Sequence, residues 1–273
     1  MKKKPFSWQH NPGFGTFTWL VLAFLYVPLA VLFVYSFNAN RQVTIWSHFS
    51  LKWFAMVAQD NNIRLTAYNS VIVAVSATIL SVAIAIPASL ALERGTSFKG
   101  RALSIGLITM PLVVPEIVTA IATLIFFSSI GMHNGLTNLV IAHTVFCIPF
   151  ALLPIQARMQ TLGAAFEDAG RDLYGSEWRV FRRITLPLLM PGIVSGAVLA
   201  FVMSLDDFLI SFMVSSSGST TLPVYVYGMM RLGVTPEVNA ISTILLVISA
   251  VLATIAFVFT RPPGGESPAK STS

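Results

Sequence analysis

Two adjacent carboxylates, Asp206 and Asp207, interrupt the apolar run SLDDFLI at 204–210, and a third, Glu116, interrupts PLVVPEIV at 111–118. An ionised group at the centre of a membrane helix costs about 2.5–3.5 kcal/mol on insertion scales, so it needs a partner, water or a function. Lys and Arg are absent from the middle of every long apolar run, so by that count these acids have no internal cation. The missing positive charge can come from a ligand. Ammonium groups strung along a flexible apolar linker suit such a site, each being a compact cation with three donors. Aromatic faces serve the same ligand, and Trp53, Tyr225 and Tyr227 are candidates. Each acid has a second reading, as a protonated group tying its helix to a neighbour.

The elements that must position these residues are set by the solvent. The chain of 273 residues is 55% hydrophobic and 10% charged, with mean hydropathy +0.76. About 25% charged residues is usual for a soluble domain, so the bilayer is the solvent here. About 20 apolar residues cross the hydrocarbon as a helix, and six such runs are present, near 17–36, 68–92, 102–130, 136–157, 190–214 and 239–260. The expectation is an all-α membrane protein of six spans. Pro111 and Pro115 each lack an amide donor, which predicts a kink in the third span. Glu116 lies about 14 residues from the inner end of span three and Asp206 about 16 from that of span five. At about 1.5 Å per residue both sit roughly 20–25 Å up, at one depth.

Basic residues orient the spans. Thirteen of the 17, including Lys2, Lys3, Lys4, Arg94, Arg101, Arg158, Arg171 and Arg261, fall in one set of loops, which places both termini in the cytoplasm. The basic residues form no aromatic-laced face, so nucleic acid is not an expected partner. The first span has no cleavage pattern after it and is expected to stay. Cys147 is alone and in a span, so it is a packing residue. No glycine-rich phosphate loop occurs, and neither a catalytic motif nor a cofactor or metal site is expected in this chain. The domain reading is a cytoplasmic segment 1–16, one membrane domain 17–260 and a disordered Pro/Gly/Ser tail 261–273.

The outer segment 38–66 carries Trp46, Trp53 and Phe54 and suggests a short interfacial helix. The inner loop 158–190 is more informative. Two short helical patterns flank Tyr174-Gly175, with Ser176 a candidate N-cap for the second. Trp178, Val180, Phe181 and Ile184 form an apolar strip beside Arg179, Arg182 and Arg183, which suggests a docking surface. Along span five Gly192, Gly196, Ala200, Ser204, Asp207 and Ser211 recur at helical spacing as one stripe of small or polar residues, which faces protein or a water-filled path. Asp206 is turned about 100° from it, toward Leu199, Met203 and Ile210. Asp207 is thus the stronger candidate for a cation path.

The inner loop resembles that of the inner-membrane permease subunits of binding-protein-dependent ABC importers. Their hallmark is Glu-Ala-Ala, three residues, Gly, nine residues, then Ile-x-Leu-Pro. Here Asp168-Ala169-Gly170, Tyr174 and Ile184-Thr185-Leu186-Pro187 stand at that spacing, with Asp168, Gly170 and Tyr174 departing from the pattern and Gly175 one position late. Nearly the whole chain is similar to the second permease of spermidine/putrescine importers, in YSFN at 35–38, LKWF at 51–54, PLVVPEIV, GRDLYG, SLDD and TTLPVYVYGMMRLGVTPEVNA at 220–240. The resemblance implies the type I importer permease fold in a bacterial inner membrane and polyamine import. It implies partnership with a sister permease, two copies of a cytoplasmic ATPase and an extracytoplasmic polyamine-binding protein. It assigns Trp53, Glu116, Ser204, Asp206 and Asp207 to the substrate, with Tyr225 added from its chemistry. To coupling with the ATPase it assigns Asp168, Ala169, Tyr174, Gly175, Glu177, Ile184, Leu186 and Pro187. A permease for another small solute is an alternative, and so is an ion-coupled secondary transporter, although no inverted repeat is visible.

Overall fold

The computed structural model describes residues 12–42, 45–95, 99–233 and 235–260. Lys2, Lys3, Lys4, Arg261 and the tail expected to be disordered lie outside the described residues. Among the described residues the backbone is helical, with one isolated bridge between Asn38 and Phe49 and no strand. The chain divides into two units, 1–60 with 228–247, and 61–227 with 248–273.

The first unit holds α1 (Pro12–Tyr35) and α2 (Lys52–Gln59). Apolar side chains cover α1 on every side, Phe24 being 80% exposed. A helix apolar all round seeks lipid or another chain. The connection to α2 folds around Asn38, whose Nδ2 donates to Ile45 O at 2.7 Å and whose Oδ1 accepts from Ser47 N at 3.0 Å. Phe37 packs on Phe49 and Phe54 at 5.4 and 5.0 Å. The short helix expected in this segment is α2.

The second unit is built on three long helices, α3 (Asn61–Glu93), α6 (Leu136–Leu162) and α9 (Leu186–Leu205), packed on one another. The small-residue stripe of α9 explains how α6 and α9 come so close. A Cβ at Gly196 would stand 2.5 Å from Ala151 O, and one at Gly192 would stand 2.7 Å from the Arg158 Cβ. Only glycine admits that backbone approach. The stripe therefore faces protein.

Two expected spans are broken. Span three becomes α4 (Arg101–Val113) and α5 (Glu116–Ser129), bent by 107°. Val114 is extended, at ψ 133°, as the residue before a proline prefers, and Pro115 has no amide to carry the helix across. The acids at 116 and 206 therefore do not rise equally along two straight helices. Span five is not continuous over 190–214: α9 ends at Leu205 and α10 (Leu209–Val214) begins after a gap, packing on α5 and α6. The inner-loop helix expected to stand apart is joined to the span instead. α8 (Glu177–Val180) continues through a π turn, Phe181–Thr185, into α9. Leu186 N donates to Phe181 O, the five-residue step of a π turn. Pro187, without a donor, follows at once.

α11 (Leu222–Leu232) and α12 (Pro236–Thr260) complete the chain. Among the described residues four helical stretches are long and apolar enough to cross a membrane alone, and the bent pair α4–α5 makes a fifth if taken as one span.

The α6–α9 contact yields a prediction. Gly196→Ala drives a methyl into the α6 backbone and is expected to cost about 1–3 kcal/mol. Gly106→Ala, whose Cβ would meet nothing within 4 Å, is expected to be neutral or stabilising. Thermal unfolding of the detergent-purified protein checks both.

Candidate functional site

The two helix breaks place the acids. Glu116 opens α5 directly after Pro115, in the first turn, where the helix dipole favours an anion. Asp206 closes α9, its amide donating to Val202 O at 3.0 Å. Asp207 opens α10: its carboxylate accepts from Ser211 N at 2.8 Å and from Ile210 N at 3.4 Å. Aspartate competes with the backbone for helical amides, so this dipeptide ends one helix and begins the next. The Glu116 carboxyl lies close enough to that of Asp207 and to the amide of Leu209 for their charges to interact. Two carboxyls brought near each other form a place for a cation or for a shared proton.

Within the cluster the acids differ. Asp207 is 5% exposed, Glu116 half-buried and Asp206 exposed. The expectation that Asp206 turns toward Leu199, Met203 and Ile210 assumed a continuous helix. Because α9 stops at Leu205, Ile210 falls beyond the break, while Asp206, still bonded to Val202 O, keeps its place on the face of Leu199 and Met203; its carboxyl makes no hydrogen bond or ion pair among the described residues.

Asp207 does have a resident partner, which counting only Lys and Arg overlooks. His143 of α6, 1% exposed, lies with Nε2 3.3 Å from Asp207 Oδ2 and 3.0 Å from Ser211 Oγ, and with Nδ1 2.7 Å from Ser204 Oγ. A carboxylate beside Nε2 requires the proton on that nitrogen; Nδ1 then accepts from the Ser204 hydroxyl, or donates to it when the ring is charged. Ser204, Asp207 and Ser211 continue the α9 stripe across the break, and all three converge on one imidazole. The available sequence signal was an ionisable residue within span four. Cys147, one turn further along α6, donates to Ala200 O at 3.4 Å and is buried, as a packing residue should be.

The aromatic candidates are placed as follows. Trp53, in the first unit, is buried, donates from Nε1 to Asn38 O at 2.7 Å and carries Lys52 Nζ 5.0 Å from its ring centre. Tyr225 is half-buried on α11. Tyr227 packs on Phe208, the residue after Asp207, at 4.8 Å.

The inner loop forms α7 (Ala165–Asp172), a tight turn and α8. Tyr174 occupies the position where the family motif has glycine, and it adopts φ +56°, a left-handed conformation that glycine adopts without strain. It is 95% exposed. Gly175 N donates to Gly170 O at 3.1 Å, and a Cβ at Gly175 would stand 2.6 Å from that oxygen. A Cβ at Gly170 would meet Ile184 Cδ1 at 2.5 Å, which accounts for glycine where the motif has alanine. Ser176 does sit at the N-cap, but its side chain makes no capping bond.

The expected apolar strip is largely turned inward: Val180 is buried, Phe181 and Ile184 are half-buried, and only Trp178 is exposed. The outward apolar face is Phe166, Leu173, Tyr174 and Trp178. Asp168, Ala169 and Glu177 lie on the exposed side, Leu186 is half-buried and Pro187 is exposed. Arg171 binds Glu177 Oε1 at 2.8 Å and Asp168 Oδ1 at 2.8 Å. Glu177, then Asp168, hold its guanidinium still more firmly in the charged form.

Two outcomes are expected. His143→Leu strands a buried carboxylate and destabilises the protein by about 3 kcal/mol or more, while the double variant with Asp207→Asn recovers part of the loss; thermal unfolding reads both. Tyr174→Gly relieves a strain of about 1–3 kcal/mol, offset by about 0.5–1 kcal/mol of backbone entropy, so the net effect is a modest rise in unfolding temperature.

Residues 81–261 match the family described as binding-protein-dependent transport system inner membrane component. The chain is 34% identical over 238 residues to the spermidine/putrescine transport system permease protein PotC of Escherichia coli K12, covering 87% of this chain and 90% of that one. It is 35% identical over 233 residues to the putrescine transport system permease protein PotI of the same organism, covering 83% of each. Among solved structures, a chain of a bacterial alginate ABC transporter in complex with alginate pentasaccharide-bound periplasmic protein aligns with TM-score 0.63 and 17% identity, over 90% of both chains. That similarity concerns the fold alone. With a family match over residues 81–261 and related permeases along most of its length, this chain belongs to the inner membrane components of binding-protein-dependent transport systems.

Proposed function

We propose that this chain is a permease subunit of an ATP-driven polyamine importer, taking putrescine or spermidine across the bacterial inner membrane. The observation that carries the reading is the meeting of Glu116 and Asp207, with Asp206 beside them, at two helix breaks in spans without Lys or Arg at mid-depth. A linear polyamine brings ammonium groups to such carboxylates and apolar methylenes to the residues between them. The relatives named for spermidine and putrescine support the same cargo.

In this reading the chain crosses the membrane six times with both termini in the cytoplasm, α4–α5 and α8–α10 each serving as one broken span and α12 as the last. Broken spans are tolerated where the freed backbone groups are satisfied inside the protein or line a cavity. Glu116, Asp206, Asp207 and Ser204 supply the path, with Trp53 and Tyr225 as aromatic faces for the cation. A sister permease completes the path, and an extracytoplasmic polyamine-binding protein delivers the cargo. ATP hydrolysis belongs to two copies of a separate cytoplasmic subunit. They dock on the coupling loop through Asp168, Ala169, Tyr174, Gly175 and Glu177 outside, with Ile184, Leu186 and Pro187 joining the loop to the span.

The test is uptake of labelled putrescine and spermidine by cells expressing the full set of subunits. Asp207→Asn is expected to lower uptake at least tenfold while the complex still copurifies. Asp168→Lys is expected to release the ATPase or leave hydrolysis without uptake. Wild-type uptake in both variants, or equal competition by uncharged solutes, overturns the proposal.

A further inference from the structure

We infer that the ion pair between half-buried Arg94 and buried Glu167 is the direct link through which the coupling loop moves α3, making both residues positioning residues for transport. Neither belongs to the loop's motif, and the motif acid beside Glu167, Asp168, points away to solvent. Glu167 is 6% exposed on α7, yet it holds a full set of partners: Oε2 accepts from Arg94 Nε at 3.0 Å, and Oε1 accepts from Thr185 Oγ at 3.2 Å. Arg94 follows the inner end of α3. Its second guanidinium arm donates to Gly163 O at 2.8 Å and Met159 O at 3.3 Å, the carbonyls that end α6. Thr185 closes the π turn that leads into α9. One ion pair thus joins the inner ends of α3, α6 and α9 to α7.

The surroundings make that link mechanical. Beside it lies a cavity of about 470 Å³ lined by Ile86, Pro87 and Leu90 of α3 and by Trp178 and Phe181 of the loop. Close-packed side chains transmit displacement; across this opening they are missing, and the ion pair bridges it. α7 is meanwhile seated on the π turn through Gly170 against Ile184. A partner that pushes on the exposed face of α7 therefore moves α9 through the turn, and reaches α3 directly through Arg94 as well as through its packing on α9. Without the pair, α7 keeps its seat on the turn and its outer face, but loses its direct hold on α3.

The inference rests on the importer reading and not on the cargo, and the test separates the two. In proteoliposomes holding the complete complex, uptake of labelled putrescine per ATP hydrolysed is measured for Glu167→Gln and for the pair Arg94→Cys with Glu167→Cys. Cys147 is buried and gives little background labelling. Hydrolysis is expected to stay within about twofold of wild type while uptake per ATP falls about tenfold. A short bifunctional maleimide joining the two cysteines is expected to restore most of it, which a merely destabilised protein would not show. ATP-dependent labelling of the variant Tyr68→Cys, at a position 63% exposed near the other end of α3, reports movement of α3 without cargo. It is expected to change with ATP in the wild-type background and much less with Glu167→Gln. Unchanged uptake per ATP in Glu167→Gln, the same ATP-dependent labelling, or no recovery on cross-linking overturns the inference. If wild-type vesicles take up no putrescine while the labelling behaves as expected, the cargo reading alone falls.

Discussion

A carboxylate in the membrane interior must find every partner within the protein, and Asp207 meets that demand with the amides of α10 on one side and His143 on the other. Removing one partner from a buried charge pair costs far more than the pair contributes. The arrangement therefore fixes where α9 ends, where α10 begins and how both lie against α6. The α4–α5 elbow, made by a proline and the extended residue before it, brings a second carboxylate to the same place. Helix breaks are costly in lipid because they expose backbone groups, and here side chains take up the freed amides at the point where charge is wanted.

Close approach of α9 to α6 is the second condition. Gly192 and Gly196 let the backbones meet, and further along the same face Ala200, Ser204 and Ser211 leave room for Cys147 and His143. A single stripe thus serves packing at its inner part and polar chemistry at its outer part. In the loop between α6 and α9, the inward residues Glu167, Gly170, Val180 and Thr185 fasten the loop to the long helices. The outward residues Tyr174, Leu173 and Trp178 stay exposed, and Tyr174 is held there at some conformational cost.

The sequence carried the membrane class, the three acids, the proline break, the small-residue stripe and the loop motif, because each rests on local spacing or on a cost that composition already states. The elbow at Pro115 was legible because a proline acts on its own backbone and on its predecessor. The break at Asp206–Phe208 was not, since an apolar run of helical period gives no sign that an aspartate will take amides from the residues after it. The inward turn of Val180, Phe181 and Ile184 was equally hidden: the strip's partner, Gly170, lies across a turn whose geometry depends on Tyr174.

What the sequence by itself determined is the solvent of the protein, its helical class and the presence of charge where charge is costly. Only the tertiary structure decided which charges are answered. His143 meets Asp207 across 64 positions of sequence and Arg94 meets Glu167 across 73. No periodicity within one helix encodes a contact between two. The division between a satisfied Asp207, a half-buried Glu116 and an exposed Asp206 follows from that packing, because adjacent residues in a chain share a depth but not an environment.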